Sequence, residues 1–228
     1  MNRRIFALAI VLSILFMFAG ANAQTEKSKA PPKAPEGWVV VEEDYLVFFD
    51  EEPQYHFERA KEHFLQGDKE SAVKEIQKAT AFLKLQEGRA TAEGKKTLVI
   101  SIAELKRLSE NIEKGVAVSD EDLDKAFARA HLALTKHYLS KTMEQNAKED
   151  AKKAGYDLKA AADNLEYAVK WTGDKVDEGL EAGVREARIL SGKMIKGTGW
   201  VAEKVSNAME YIASESEKLS KKVQPKKE

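Results

Sequence analysis

The sequence contains no cysteine, which excludes disulfide bonds, thiolate metal ligands and haem attachment through Cys-x-x-Cys-His. Lipid attachment through a cysteine is excluded for the same reason. Proline is also scarce, and none occurs between Gln54 and Gln224. A proline inside a helix costs about 3 kcal/mol, so this distribution predicts a long helical region. The five prolines are Pro31, Pro32, Pro35, Pro53 and Pro225.

An excess of charge of one sign is also missing. The chain has 37 basic and 38 acidic residues, and this balance provides no electrostatic footprint for nucleic acid. Beyond the N-terminus, no apolar run is long enough to span a bilayer. These two absences favour a soluble product with no nucleic-acid partner.

Residues 1–23 have the features of a secretory signal peptide. The segment begins with Arg3 and Arg4, and an apolar run that is short for a membrane span ends at Phe18. The small-x-small tripeptide Ala-Asn-Ala then ends at Ala23. We therefore predict cleavage after Ala23 and a periplasmic or secreted location. An uncleaved anchor helix is the alternative interpretation.

Two segments without helical periodicity follow. Residues 24–37 hold three prolines among Lys and Ala, which is typical of a polyproline-type linker. Residues 38–52 are rich in β-branched and aromatic side chains near their start. A short strand is one interpretation of this second segment. We favour an extended arm, because no partner strand is evident elsewhere in the sequence.

Residues 53–173 carry the apolar spacing of amphipathic helices and predict an antiparallel helical bundle. Glycines mark the expected turns between helices: Gly67 with Asp68 as the next N-cap, then Gly88 and Gly115. For the whole chain, we predict an all-α bundle of five or six helices.

The stretch from Ser119 to Met143 predicts the central helix. Ser119 is the expected N-cap, and Asp122 occupies the capping-box position three residues later. Apolar residues then occupy two opposite faces, which is typical of a helix buried among neighbours. One stripe holds Leu123, Phe127, Ala130, Leu134 and Tyr138, and the other holds Ala128, Leu132, Leu139 and Met143.

Beyond Met143 the apolar stripe changes phase and continues towards Trp171. We consider two interpretations, a helix that bends near Gly155 and one long helix that changes neighbours along its length. In either case Trp171 and Gly173 mark the end of the helix.

Residues 174–223 keep one 3.6-residue phase from Val176 to Val223. This pattern predicts one long amphipathic helix, weakened or kinked at Gly197 and Gly199. Two helices that share a phase by chance are the alternative. Residues 224–228 form a charged tail.

The apolar face of this C-terminal segment suggests two uses. The first is docking on the bundle itself, which we favour because helix stability comes largely from such packing. The second is a lipid surface, since Trp200 lies near Lys193, Lys196 and Lys204. Acidic residues interspersed along the segment argue against the second use.

Histidine is the one residue type that suggests a metal or haem site. Two ligands on one helix need a spacing of three or four residues, and no histidine pair has it. A site could still form between helices, for instance with His63 facing His131 or His137. The alternative, which we favour, is an ordinary histidine at the edge of the core. We assign no catalytic, cofactor-binding or metal-binding residue.

Catalytic sequence motifs are also missing. The chain contains no Gly-x-Ser-x-Gly, no glycine-rich phosphate loop after a strand and no His-Glu-x-x-His. No Glu-x-x-His is present either, which argues against a ferritin-like di-iron site. We therefore expect a protein that is not an enzyme.

The stretch from Phe57 to Ala79 resembles a helical hairpin of the tetratricopeptide kind. It also resembles the N-terminal helices of YfdX-like periplasmic proteins. The matching features are Ala60, the Gly67–Asp68 turn, Ala72 and Ala79. The second resemblance implies a soluble, helical, exported protein with a chaperone or stress role, and no catalytic residues.

Together these patterns predict an exported helical accessory protein that acts by binding another protein, in a chaperone-like or stress-related role. A metal- or haem-binding bundle that uses histidines between helices is one alternative. A peripheral membrane protein that binds through residues 174–223 is the other.

Overall fold

A computed structural model describes residues 6–9, 38–41, 52–173 and 177–224. The chain divides into two units, residues 1–49 and 50–228. In the first unit, β1 (Phe6–Ala9) pairs antiparallel with β2 (Trp38–Val41), with Phe6 opposite Val41 and Ala9 opposite Trp38.

The pairing of β2 differs from the arm without a partner strand that the sequence favoured. Its partner, β1, lies inside the predicted signal peptide, where no strand was expected. Cleavage after Ala23 would remove β1 from the mature chain. The rest of the predicted signal peptide, the linker at 24–37 and the arm beyond Val41 up to position 51 lie outside the described residues.

The described part of the second unit is all-α, as predicted, but it has seven helices and not five or six. The helices are α1 (Glu52–Leu65), α2 (Lys69–Arg89), α3 (Ala92–Glu113), α4 (Asp120–Ala147), α5 (Ala151–Thr172), α6 (Glu178–Lys196) and α7 (Ala202–Lys222). The second helix continues through Gly88 to Arg89, so Gly88 does not end it.

Side-chain caps explain where most helices begin. A capping side chain accepts a hydrogen bond from a backbone amide of the first turn, which would otherwise lack a partner. At Ser119 the predicted capping box is present, because the Asp122 carboxylate also accepts from the Ser119 amide at 2.9 Å. The caps are Asp68, Thr91, Ser119, Asp150 and Asp177.

The expected continuation of the central helix is wrong, because the chain turns between α4 and α5. Glu149 adopts a left-handed backbone with φ of 59°. Asp150 then caps α5 by accepting from the Lys153 amide at 3.1 Å. The two helices pack antiparallel along their lengths, and α5 ends at Gly173 as predicted.

Gly155 lies inside α5 and marks a close approach of two helices. A Cβ atom added at Gly155 would lie 2.9 Å from the backbone oxygen of Ser191 and 2.9 Å from Cβ of Met194. Only a glycine therefore allows α5 and α6 to pack at this distance.

The single helix predicted over 174–223 is also wrong, because the chain breaks between α6 and α7. Gly197 and Gly199 both have positive φ. The Thr198 amide donates to the Lys193 carbonyl at 3.1 Å, which is the hydrogen bond of a Schellman cap. The chain then folds back, and Gly183 of α6 lies against the ring of Tyr211 in α7.

The apolar stripes of α6 and α7 are buried in the bundle, which is the docking that the sequence favoured. Buried members include Leu180, Leu190, Val205 and Ile212, and α7 packs on α4 and α5 as well as on α6. Val176, the first member of the predicted stripe, lies outside the described residues.

The centre of the bundle confirms the two-sided central helix. Both predicted stripes of α4 are buried except at Met143, which is 60% exposed because it lies close to the end of the helix. Phe127 stacks on Phe57 of α1 at a centroid distance of 4.3 Å and meets Trp171 of α5 edge to face at 5.1 Å. Aromatic side chains from three helices thus join in one core.

Candidate functional site

Two features of the second unit stand out chemically, the histidines of α4 and a groove at one end of the bundle. His131 is fully buried at the packing surface between α4 and α5. Its Nδ1 lies 2.8 Å from Oδ1 of Asn164. The amide nitrogen of Asn164 donates to the Ala160 carbonyl at 2.9 Å, which turns Oδ1 towards the ring. The imidazole therefore carries its proton on Nδ1.

The other nitrogen of His131 has no hydrogen-bond partner. The rings of Phe57 and Tyr167 lie against the imidazole, each at a centroid distance of 5.4 Å. Burial lowers the pKa of His131 to about 4, and the bond with Asn164 opposes this only in part. The buried ring is therefore neutral at neutral pH.

His137 lies six residues further along α4 and is also buried. Its Nε2 is 3.3 Å from Oε1 of Gln86 in α2, and its Nδ1 has no partner. Gly94 of α3 approaches so closely that an added Cβ would lie 3.2 Å from Nδ1. Burial, followed by the positive charges of Lys141 and Arg89, lowers the pKa of His137 to about 3.

His56 has the opposite surroundings. Its Nδ1 lies 2.6 Å from a carboxylate oxygen of Glu75, and its Nε2 lies 3.2 Å from Glu52. Burial alone would lower its pKa, but the hydrogen bonds to both carboxylates outweigh burial and raise the pKa of His56. Burial would likewise raise the pKa of Glu75, yet its bonds with Lys78 and His56 lower it.

The histidine trio considered from the sequence shares no polar partner. His63 lies beside Arg59 at 3.3 Å and Asp68 at 3.7 Å, while His131 contacts Asn164 and His137 contacts Gln86. Within residues 52–173 and 177–224, no three side chains of the ligand types His, Asp and Glu are placed to hold a metal ion.

The second feature is a groove of about 330 Å³ where two interhelical turns meet. We call it the tip groove. It is lined by Asn146, Glu149 and Ala151 at the α4–α5 turn and by Trp200 and Ala202 at the α6–α7 turn. Residues far apart in the chain therefore form one surface. Trp200, which the sequence analysis singled out, is half-buried in it.

Exposed apolar and basic residues lie close in sequence to the residues that line the tip groove. Val201, next to Trp200, is 56% exposed. Four nearby lysines make no ion pair within the part of the chain that the structure describes: Lys152, Lys193, Lys196 and Lys204. Against them stand two exposed carboxylates, those of Glu149 and Glu203. The surface is therefore apolar at its centre and basic on balance at its rim.

The left-handed backbone of Glu149 adds local strain at the groove wall. A residue with a side chain costs about 1–2 kcal/mol in this conformation, and such strain concentrates at functional positions. Glu149 is both the one described non-glycine residue with a positive φ and a lining residue of the tip groove.

No described helix has both the length and the apolar character needed to cross a bilayer. Comparisons with protein-family models, with curated proteins and with solved structures found no match.

Sequence reasoning missed the residues that determine the state of each histidine. Asn164, Gln86 and Glu75 come from other helices, at sequence separations of 33, 51 and 19 residues. One signal was available: Asn164 is a polar residue in an alanine-rich apolar stretch, and a buried amide needs partners. Nothing in the sequence indicated that Asn146, Glu149 and Ala151 at the α4–α5 turn would line a groove.

Proposed function

We propose that this protein is an exported accessory or chaperone-like protein that binds a segment of another protein in the tip groove. The predicted signal peptide, cleaved after Ala23, would place it in the periplasm or outside the cell. The resemblance of the first hairpin to YfdX-like periplasmic proteins favours the same role.

The observation that carries the proposal is Trp200 in the wall of a groove with a basic rim. Tryptophan is enriched among the residues that dominate binding energy, above all where it lines a pocket that excludes water. A volume of about 330 Å³ is at the small end for binding pockets. It suits one large apolar side chain of a partner better than a cofactor.

Charge complementarity defines the rest of the partner. The unpaired lysines at the rim attract carboxylates, which steer association and select among partners. The segment that we propose therefore carries an apolar anchor residue with Asp or Glu on either side. Glu149, inside the groove, would exclude a segment with an acidic residue at the anchor position itself.

The test is selection from a display library of short random peptides against the purified chain. We expect enrichment of an apolar residue flanked by acidic residues. Trp200→Ala should weaken binding of the selected peptides by about tenfold or more, the loss expected for an interface anchor. Ile189→Ala is the matched control, because Ile189 is another exposed apolar residue of the α6–α7 hairpin.

Several results would overturn the proposal. One is selection of peptides without acidic residues, and another is equal binding by the parental chain and Trp200→Ala. Binding to vesicles of anionic lipid that is lost in Trp200→Ala, without peptide binding, would assign the tip groove to membranes. For the chaperone-like role, the protein should reduce light scattering of reduced, aggregating insulin, and Trp200→Ala should reduce it less.

A further inference from the structure

The buried histidines of α4 suggest a property that lies beyond protein binding. We propose that the centre of the bundle is a proton-sensitive device in which acid loosens α4 from α5 at His131 and from α3 and Gln86 of α2 at His137. The α1–α2 hairpin, held by His56, stays paired under the same conditions.

At His131, a second proton would have no acceptor. The neighbours of the ring are Phe57 from α1 and Asn164 and Tyr167 from α5. The nearest ion pair on α4 joins Arg129 to Glu104 of α3, and both groups are already satisfied. A protonated ring would therefore bury a positive charge and a free N–H donor among apolar groups, which is strongly unfavourable.

At His137, the surrounding charges are positive. Gln86 and Arg89 approach from α2, Gly94 from α3, and Lys141 lies one turn along α4. The amide oxygen of Gln86 can accept one hydrogen bond, but no carboxylate contacts the ring within the described helices. A third cation beside Arg89 and Lys141 would be repelled by both.

Protonation therefore requires the helices to separate so that water reaches the rings. The unfolded chain accepts protons on histidine near pH 6.5, whereas the packed core resists them to about pH 4 or below. Acid thus favours any state in which α4 is less tightly packed. His56 behaves in the opposite way, because Glu52 and Glu75 are in place to balance its charge.

The position of α4 makes such loosening consequential. It packs against α1, α3, α5 and α7, and it contributes Phe127 to the aromatic core. Separation of α4 from α5 would expose a broad apolar surface that is hidden at neutral pH. Such a surface suits apolar segments of unfolded proteins.

The experiment is a pH titration of the full chain, monitored by a fluorescent hydrophobic dye and by tryptophan emission. Trp171 reports on the core, because it packs against Phe127 and donates from Nε1 to Gln54 at 2.8 Å. We expect dye binding to rise in mild acid. In the double variant His131→Gln, His137→Gln, the midpoint should move by roughly one pH unit towards acid.

His63→Gln is the matched control, because its ring is partly exposed and has the Asp68 carboxylate nearby. It should leave the midpoint unchanged. An equal midpoint in the parental chain and the double variant would overturn the proposal. So would an equal shift in His63→Gln.

A second measurement covers the case in which the double variant does not fold. Amide hydrogen exchange of the parental chain, corrected for intrinsic rates, is followed by segment at neutral and mildly acidic pH. We expect residues 120–172 to lose protection while residues 52–89 retain it. Loss in the first hairpin before the central helices, or in both together, would overturn the proposal.

Discussion

His56 and His131 are both buried, yet their surroundings differ in one respect. His56 lies between α1 and α2 with two carboxylates within hydrogen-bonding distance. His131 lies between α4 and α5 with an amide oxygen on one side and no partner on the other. Burial lowers the pKa at both positions, but the carboxylates reverse the result at His56.

Burial alone therefore does not determine the charge of a histidine. A carboxylate within hydrogen-bonding distance stabilises the protonated form of a buried ring. Protonation of such a ring then does not destabilise the fold. His137 extends the comparison, since Lys141 and Arg89 add to the effect of burial. The first hairpin and the centre of the bundle should thus respond to acid with opposite signs.

The largest expected effect is that of pH itself. The pKa values of His131 and His137 lie below 6.5 in the folded state, so the unfolded state binds more protons as the pH falls from 6.5. Each contributes up to about 1.4 kcal/mol per pH unit in acid, so the unfolding free energy should fall by about 4 kcal/mol between pH 7.5 and about pH 5.

His56 offsets part of this loss, in the part of the range above pH 6.5. Its folded pKa is raised, so its stabilisation is fully present below pH 6.5 and is lost as the pH rises through the folded value. Urea unfolding across this pH range measures the balance. An unfolding free energy that does not change with pH would contradict the predicted effect of His131 and His137.

A permanent charge tests the two positions directly. His131→Lys would bury an ammonium group without a counter-charge and should lower the unfolding free energy at pH 7.5 by about 3 kcal/mol or more. His56→Lys keeps Glu52 and Glu75 as partners and should cost under about 1 kcal/mol. Urea unfolding of both variants is the measurement, and equal losses would show that the carboxylates do not matter.

A carboxylate placed next to His137 should make this histidine behave like His56. Gln86→Glu is nearly isosteric and removes only an amide nitrogen that has no partner. It would face Nε2 of His137, raise the pKa of His137 and recover about 2 kcal/mol of the acid loss near pH 5. The measurement is the unfolding free energy at pH 7.5 and at pH 5, and the difference between the two values is compared in the variant and in the parental chain. An unchanged difference would contradict this prediction.

Removal of a carboxylate should have the smallest effect. Glu75→Gln keeps a hydrogen-bond partner for His56 but removes the charge, and the bond from Lys78 at 2.7 Å is weakened. We expect a loss of about 1 kcal/mol near pH 6 and less at a pH above the raised pKa of His56, where the ring is neutral. Thermal unfolding at both pH values is the measurement, and a larger loss at high pH would have the wrong sign.

The fold could be predicted where local chemistry decides it. The Gly67–Asp68 turn, the capping box at Ser119 and the end of α5 at Gly173 all lie where the sequence placed them. Each depends on a side chain that bonds its own backbone, or on a glycine with positive φ. Such signals need no information about distant parts of the chain.

The two helix breaks were missed for different reasons. At the α4–α5 turn, Glu149 adopts a conformation typical of glycine, and the available signal was the capping residue Asp150. At the α6–α7 turn, Gly197 and Gly199 were noticed, but the apolar phase continued across them. Two helices that fold back can keep one phase, so periodicity alone does not reveal the break.

The candidate sites could be predicted only in part. The sequence singled out Trp200, His131 and His137, and it did not reveal that the histidines have separate partners on different helices. Nor could it show that Trp200 meets the α4–α5 turn, because that juxtaposition depends on how two hairpins pack.

The sequence was sufficient to predict helices from position 53 onward, because proline is absent from the interior and apolar residues recur at helical spacing. It also determined the two-sided character of α4. The packing of the helices determines which histidines are neutral and where the tip groove lies. Charge state and surface shape depend on atoms that are distant in the chain, and a linear pattern does not contain their distances.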